Sequence, residues 1–485
     1  INLSPMSERI QIKPSDSAPA TADLVLFSAK GEFIPRPFLP EEFDGEIDSS
    51  VLFHSTDRRE IYIGIGSKEN LHEHTFRKAA GQAIRKAMEI GTKELVIDVS
   101  AFEQYTAAIA DGLIVGSYEF DEYQSSKREK STIKVSLVGP KKFIKMTRAQ
   151  IARGIALGRA TNLVRHLGNL PGNVMTPDSL SVEARNLAQE YELKCRIWTK
   201  GGLERDGFGG LLAVGGGSVN EPRLIRLDYT VEDKNAPTLV VVGKAITFDS
   251  GGICLKNAES MDEMKFDKMG GCSVLGIMQA VAELKPSCNV IGILASAENM
   301  TGSGAYRPGD IVRTFDGQTV EVANTDAEGR IVLADALGYV RERVKPDLVI
   351  DLATLTGACV VALGEERAGL FCKDPELSQM LQDCGKATGQ PVWPLPFCEE
   401  FDEQIESKVA DVRNLGKTRW GGASTAASFL ARWTKDIPHI HLDIAGPAMT
   451  AIPKKYRGSG ATGFGVSLIY SFTEKWEQSI RKSKS

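Results

Sequence analysis

Three short stretches in the second half of the sequence gather residues whose types and spacing could do chemistry. GKAITFDSGGICLK, from Gly243 to Lys256, carries Lys244, Asp249 and Lys256 directly after the apolar run Thr238 to Val242. MDEMKFDKMGG supplies Asp262, Glu263 and Asp267, and ANTDAEGR supplies Asp326, Glu328 and Arg330. Each falls where a strand is expected to end, and ligand crevices in open α/β sheets lie beyond the carboxyl ends of strands. Carboxylates without histidines suit hard or borderline divalent ions such as Mn²⁺, Mg²⁺ or Zn²⁺. Four carboxylates on two such ions leave a cluster close to neutral, which burial demands. Asp326 and Glu328 stand two residues apart, so in an extended segment they point the same way and can serve two ions together. Taken singly, such acids are turn residues or helix caps. Three clusters containing two lysines and an arginine exceed that explanation.

Rival chemistries lack their signatures. GGGS (Gly215 to Ser218) and DSGG (Asp249 to Gly252) are glycine-rich, but there is no GxxxxGK[ST] and no GxGxxG opening a helix. No GxSxG elbow accompanies His166, His439 or His441, and His54, His72 and His74 are scattered. The eight cysteines all lie beyond residue 194 and form no CxxC pair, which reads as free, mostly buried thiols in a reducing compartment. A net charge of −5 gives no general attraction to nucleic acid or an anionic membrane. The basic stretch Arg77 to Lys86 reads as a solvated helix face. No run approaches the ~20 apolar residues of a membrane span, and the opening residues lack a secretory signal pattern.

The elements that must position these residues follow from periodicity. In the first 140 residues DLVLFSA, IYIGIG, ELVIDVS and IKVSLVG read as strands, with helices over HTFRKAAGQAIRKAMEIG and AAIADGLIVGSYEFDEY. That alternation predicts an α/β domain with a mostly parallel sheet. A long helix spans Phe143 to Leu167. Beyond it RLIRLDYT, TLVVVGKA, NVIGILASAEN and DLVIDLATL read as strands, with helices near 270–284 and 329–343. The expectation is a two-domain α/β chain: a smaller non-catalytic domain over 1–150, a linking helix over 151–170, and a catalytic domain over 171–485 with a mixed central sheet flanked by helices.

GKAITFDSGG, DEMKFD and above all NTDAEGR resemble the signatures of the leucine aminopeptidase family of two-metal exopeptidases. ATLTGA (Ala353 to Ala358), RWGGASTAASFL and HLDIAG extend the resemblance over about Ala160 to Leu468. It implies a metal-dependent hydrolase that removes amino-terminal residues, leucine and other apolar ones preferred, from peptides. It implies two divalent ions per subunit, Mn²⁺ or Zn²⁺, with Asp249 and Glu328 bridging them. Lys244, as a neutral amine, and Asp267 would complete one site, and Asp326 the other. An ion-bound water would be the nucleophile. Lys256 would stay protonated and polarise the scissile carbonyl, and Arg330 would hold a bicarbonate. Met264, Thr354, Gly357, Ala445 and Met449 match the family's substrate pocket, and methionines with small residues make an adaptable apolar lining. The resemblance further implies a cytoplasmic homohexamer with no membrane association. Ala245, Cys254 and Lys268 depart from the family's common glycine, serine and methionine. Lys268 is expected to face solvent or a partner, because adjacent residues of a strand point to opposite sides. Two other readings share some of these features. One is a two-metal phosphoesterase; the other is an added DNA-binding regulatory role, against which the acidic net charge argues.

Overall fold

The computed structural model describes residues 9–32, 42–126 and 131–484. They form two compact units, one reaching Asn162 and including Ala451–Ser459, the other comprising Leu163–Thr450 and Gly460 onward. The division falls inside a single helix.

In the first unit the strands are β1 (Ile10–Ser15), β2 (Asp23–Ala29), β3 (Ser50–His54), β4 (Arg59–Gly66), β5 (Glu94–Asp98) and β6 (Ile133–Val138). Their order is β1-β6-β5-β2-β4-β3, every neighbouring pair being parallel except β3 with β4. Helices α1 (Glu73–Glu89) and α2 (Thr106–Gly116) follow β4 and β5. α1 buries Phe76, Ala79, Ala80, Ala83 and Ala87, a 3.6-residue stripe of mostly small side chains, into this unit's core. Three of its four Arg and Lys residues form ion pairs: Arg77 with Asp111 at 2.6 Å, Lys78 with Asp48 at 3.2 Å and Lys86 with Glu89 at 3.1 Å. Helix α3 (Phe143–Asn169) closes the segment.

The second unit is built on an eight-stranded sheet of β7 (Lys194–Trp198), β8 (Arg223–Tyr229), β9 (Thr238–Asp249), β10 (Asn289–Asn299), β11 (Leu348–Ala353), β12 (Ala368–Cys372), β13 (Val392–Pro394) and β14 (His439–Asp443). The order is β13-β12-β14-β11-β9-β10-β8-β7. Pairs among β14, β11, β9 and β10 are parallel, whereas β12 with β14, β10 with β8 and β8 with β7 are antiparallel, so the sheet is mixed. The central strands read as continuous apolar runs because both faces are covered. Helix α4 (Met269–Leu284) is buried over nearly its whole length, as is α5 (Gly329–Tyr339).

β9 does not end at Val242. It runs through Gly243 and Lys244 to Asp249, since Ala245 and Ile246 are fully buried and stay in register with β10. The strand expected from sequence, TLVVVGKA, stops at Ala245, whereas the observed strand continues to Asp249. Among the described residues no helix is long and apolar enough to cross a membrane.

Candidate active site

The three clusters meet around the end of β9. Lys244, 3% exposed, projects from within the strand. Its Nζ lies 2.7 Å from Asp267 Oδ1 and 2.7 Å from Glu328 Oε1, and donates to the Thr354 carbonyl at 3.0 Å. Five residues on, β9 carries one residue more than β10 between the pairs Ile246–Ala297 and Asp249–Asn299. Such a bulge re-aims the side chain that follows it, here Asp249. Asp249 Oδ1 accepts from Gly251 N at 2.9 Å and Asn299 Nδ2 at 2.8 Å, and its Oδ2 is 2.9 Å from Lys256 Nζ. Lys256 also reaches Asp326 Oδ1 at 2.5 Å.

The loop between Asp249 and Lys256 needs its glycines. Gly251 has φ of +85°, and a Cβ there would sit 2.4 Å from the Cys254 carbonyl and 2.9 Å from Asp326 Oδ1. Thr325 fastens the loop from the other side, accepting from Cys254 N at 2.8 Å and donating to Gly251 O at 2.6 Å.

Asp326 and Glu328 lie in a turn entering α5, not in an extended segment: Glu328 has helical dihedrals, φ −77° and ψ −38°. They still converge, because Asp249, Asp326 and Glu328 each offer an oxygen within 4.8 Å of the others'. Glu328 stands at a helix amino terminus, where a negative charge is favoured. Gly329 beside it leaves room for Lys244, since a Cβ on Gly329 would lie 2.5 Å from Lys244 Cε.

The protein's own charges set the protonation tendencies. Burial, with the charge of Glu328, pushes the Asp249 carboxyl up to about 6 against the opposing lysines. Burial likewise raises Asp267 and Glu328, with Lys244 opposing in both. Burial works against the charge on Lys244, but Asp267, Glu328 and Asp249 outweigh it and hold the ammonium above its ordinary range. Lys256 is raised in the same way, burial being outweighed by Asp249 and Glu328. The protein alone therefore does not make Lys244 neutral; a metal ion would have to displace that proton.

The donor set fits divalent cations. Asp267 Oδ2 is buried without a hydrogen-bond partner. Glu328 Oε1 and Asp326 Oδ1 lie close to ammonium groups without a directed hydrogen bond. Buried acceptors left in this condition are costly. Arg330, 5% exposed, has Nε and Nη1 buried without partners, and burial lowers its guanidinium to about 10 against Glu328 and Asp443.

The sequence-derived pocket residues are partly gathered. Thr354 Oγ1 donates to Asp267 Oδ1 at 2.8 Å. Asp443 at the end of β14 accepts from Leu355 N at 3.2 Å, Thr356 Oγ1 at 2.6 Å and Ala445 N at 3.1 Å, tying the segments of Thr354, Gly357 and Ala445. A Cβ on Gly357 would meet only open space. Met264, Ala445 and Met449 are half-buried. Met449 pairs with Ala461 in a small antiparallel ladder. Asp262 and Glu263 take no part in the cluster's ion pairs.

Lys268 is the clear correction. It is fully buried, not facing solvent, because its segment is a 3₁₀ helix, Ala258–Lys268, in which neighbours do not alternate between faces. The sequence reading also overlooked Asn299, Thr325 and Asp443, which hold the site from behind. Asn299 ends the apolar strand NVIGILASAEN, a polar residue where burial continues, and that was the available signal.

The family model described as the cytosol aminopeptidase family, catalytic domain, matches residues 162–470, and that of the family's N-terminal domain matches 40–127. The chain belongs to the cytosol aminopeptidase family. A probable cytosol aminopeptidase of Roseiflexus castenholzii is 41% identical over 488 residues, covering 97% of this chain and 100% of the relative. One from Aquifex aeolicus is 40% identical over 492 residues, covering 99% and 94%. The bottromycin maturation enzyme BotP, solved in complex with Mn, matches with a TM-score of 0.87 at 32% identity, over 95% of this chain and 100% of that one. As a cytosol aminopeptidase the chain is a metal-dependent hydrolase of peptides, a metallo-exopeptidase that binds divalent metal.

Proposed function

We propose that this cytosol aminopeptidase removes leucine and other apolar amino-terminal residues, using two ions held by Lys244, Asp249, Asp267, Asp326 and Glu328. The observation that carries the reading is the meeting of all five at the end of β9, with three carboxylates within 4.8 Å of one another and further buried oxygens unpartnered. Two divalent ions, Mn²⁺ or Zn²⁺, would supply Lewis acidity and an acidified water for attack on the peptide carbonyl. Asp249, Glu328, Lys244, Asp267 and Asp326 would hold the ions, Asp249 and Glu328 serving both, Lys244 and Asp267 one of them and Asp326 the other.

Lys256 is held protonated at the rim of the cluster, with its side chain 19% exposed, so its ammonium can donate to the scissile carbonyl oxygen and stabilise the charge that develops there. The unpartnered nitrogens of Arg330 suit a small anion, and bicarbonate, able to take a proton from the attacking water, fits that place. Met264, Thr354, Gly357, Ala445 and Met449 would line the side-chain pocket. The amino-terminal domain would serve assembly, in a cytoplasmic homohexamer.

The test is metal analysis with an aminopeptidase assay before and after chelation. Stripped protein should lose leucine anilide hydrolysis and regain it with Mn²⁺ or Zn²⁺, while phosphate esters stay intact. Full activity in metal-free protein would overturn the reading.

A further inference from the structure

The 3₁₀ segment Ala258–Lys268 is eleven residues long, whereas runs beyond three or four are uncommon because their hydrogen bonds are poorly aligned. It carries Met264 and Asp267, so two proposed site residues depend on a stretch that cannot hold its own shape well. Tertiary ties must fix it. One comes from Thr354, whose hydroxyl donates to Asp267 Oδ1 at 2.8 Å and lies 3.2 Å from its carbonyl oxygen.

The other comes from Lys268. Its ammonium, fully buried, donates to the carbonyls of Gly168 at 3.1 Å and Leu170 at 2.9 Å, and to that of Lys265 within the segment itself. All three donors of the group are thereby used on backbone carbonyls. Gly168 and Leu170 lie at the carboxyl end of α3, where carbonyls lack helical partners and a cation is favoured. No carboxylate forms an ion pair with Lys268 among the described residues. A charge buried at such cost for three carbonyls is a fastening. It binds the turn that presents Asp267 to the rigid end of a long helix.

The geometry points to Lys268 as a positioning residue for metal binding: its ammonium pins the Met264–Asp267 turn to the end of α3 and so sets where the Asp267 carboxylate is delivered. The inference rests on the reading of Asp267 as a metal ligand. An uncharged side chain of similar reach, such as methionine, would fill the space but release the three carbonyls.

The experiment uses full-length, chelator-stripped protein and Mn²⁺ as probe, with binding measured by calorimetry well below the melting temperature of each variant. K268M should bind Mn²⁺ ~10–100-fold more weakly, the range seen when a group orienting a metal ligand is lost. K268R keeps the charge, but its planar fork cannot converge on three carbonyls in the same way, so it should also weaken binding, by less. Unchanged Mn²⁺ affinity in either folded variant overturns the proposal, even if its melting temperature falls, because a mere helix cap acts on stability alone. Failure of both variants to fold assigns Lys268 to the fold and equally overturns it. D267N run alongside separates the two readings: if D267N binds Mn²⁺ normally, the ligand assignment fails, whatever Lys268 does.

Discussion

Asp249 and Asp351 are buried aspartates on adjacent strands of one sheet, and they end in opposite electrostatic conditions. Asp351, in the middle of β11, has His439 Nε2 at 2.7 Å on one oxygen and His441 Nδ1 at 2.7 Å on the other. Burial would raise its carboxyl, but the two histidines outweigh burial and bring it down to about 2. Asp249 has lysine and amide partners as well, yet burial and the charge of Glu328 leave it at about 6. Two imidazoles close the first cluster on itself. The second gathers more negative charge than its lysines answer, and that surplus is what a divalent ion can use. A perturbed carboxyl crowded by further acids, with its charge only partly answered, is the kind of group found at functional centres.

Neutralising one acid in each cluster should separate the two most widely. E328Q and D326N should stay folded but lose Mn²⁺ and more than ~100-fold in activity, beyond the range for outer-shell changes around a metal. D351N should keep stoichiometric Mn²⁺. Metal analysis of the three proteins checks both arms, and normal metal content in E328Q and D326N would erase the distinction.

Within the open cluster the two lysines should fail differently. K256A is expected to retain metal while losing about 10²–10³ in kcat, the usual effect of removing one oxyanion donor. K244A should lose metal occupancy first. Metal content and steady-state kinetics measured side by side decide it; the reverse pattern would exchange the roles.

The smallest effect on turnover belongs to the closed cluster, where the consequence is stability. Leaving the buried His441 and the half-buried His439 without their carboxylate should cost D351N about 3–5 kcal/mol. The Asp351 carboxyl, depressed on folding, contributes fully above the unfolded value of about 3.9 and loses that contribution as pH falls through about 2. His441 is buried, but Asp351 outweighs burial and raises it, so its contribution is complete below about 6.5 and fades as pH rises through the raised folded value. The stability gap between wild type and D351N, both metal-stripped, should therefore be widest between about pH 4 and 6.5. A gap flat with pH in denaturant titrations would refute the charged network.

Much of this organisation is legible from residue pattern. DLVLFSA and NVIGILASAEN coincide with β2 and β10, because alternation and apolar runs report burial directly. What escaped was local geometry under tertiary control. β9 continues past its first charged residue because β10 stays paired with it as far as Asp249, after the ladder with β11 has ended at Gly243, and no local pattern records such pairing. The Asp326–Glu328 pair converges through a turn and a helix start instead of a strand. Lys268 defied its period because a 3₁₀ run replaced the assumed extended segment. Residues Ala451–Ser459, which group with the first unit, carry no signal for it. The types and identities of the site residues could be read; the frame of Asn299, Thr325 and Asp443 behind them could not, since single polar residues at strand ends look alike.

The close approach of Gly329 to Lys244 has a consequence for how this sequence can change over generations. The glycine is not there for an unusual backbone angle, since it opens an ordinary helix; it is there because the lysine's methylenes occupy the volume a methyl group would need. Positions 244 and 329, 85 residues apart in the chain, thus form one steric unit. A lineage that enlarges one must shorten the other, and any homologue carrying a side chain at 329 should be found to have traded its lysine for something smaller.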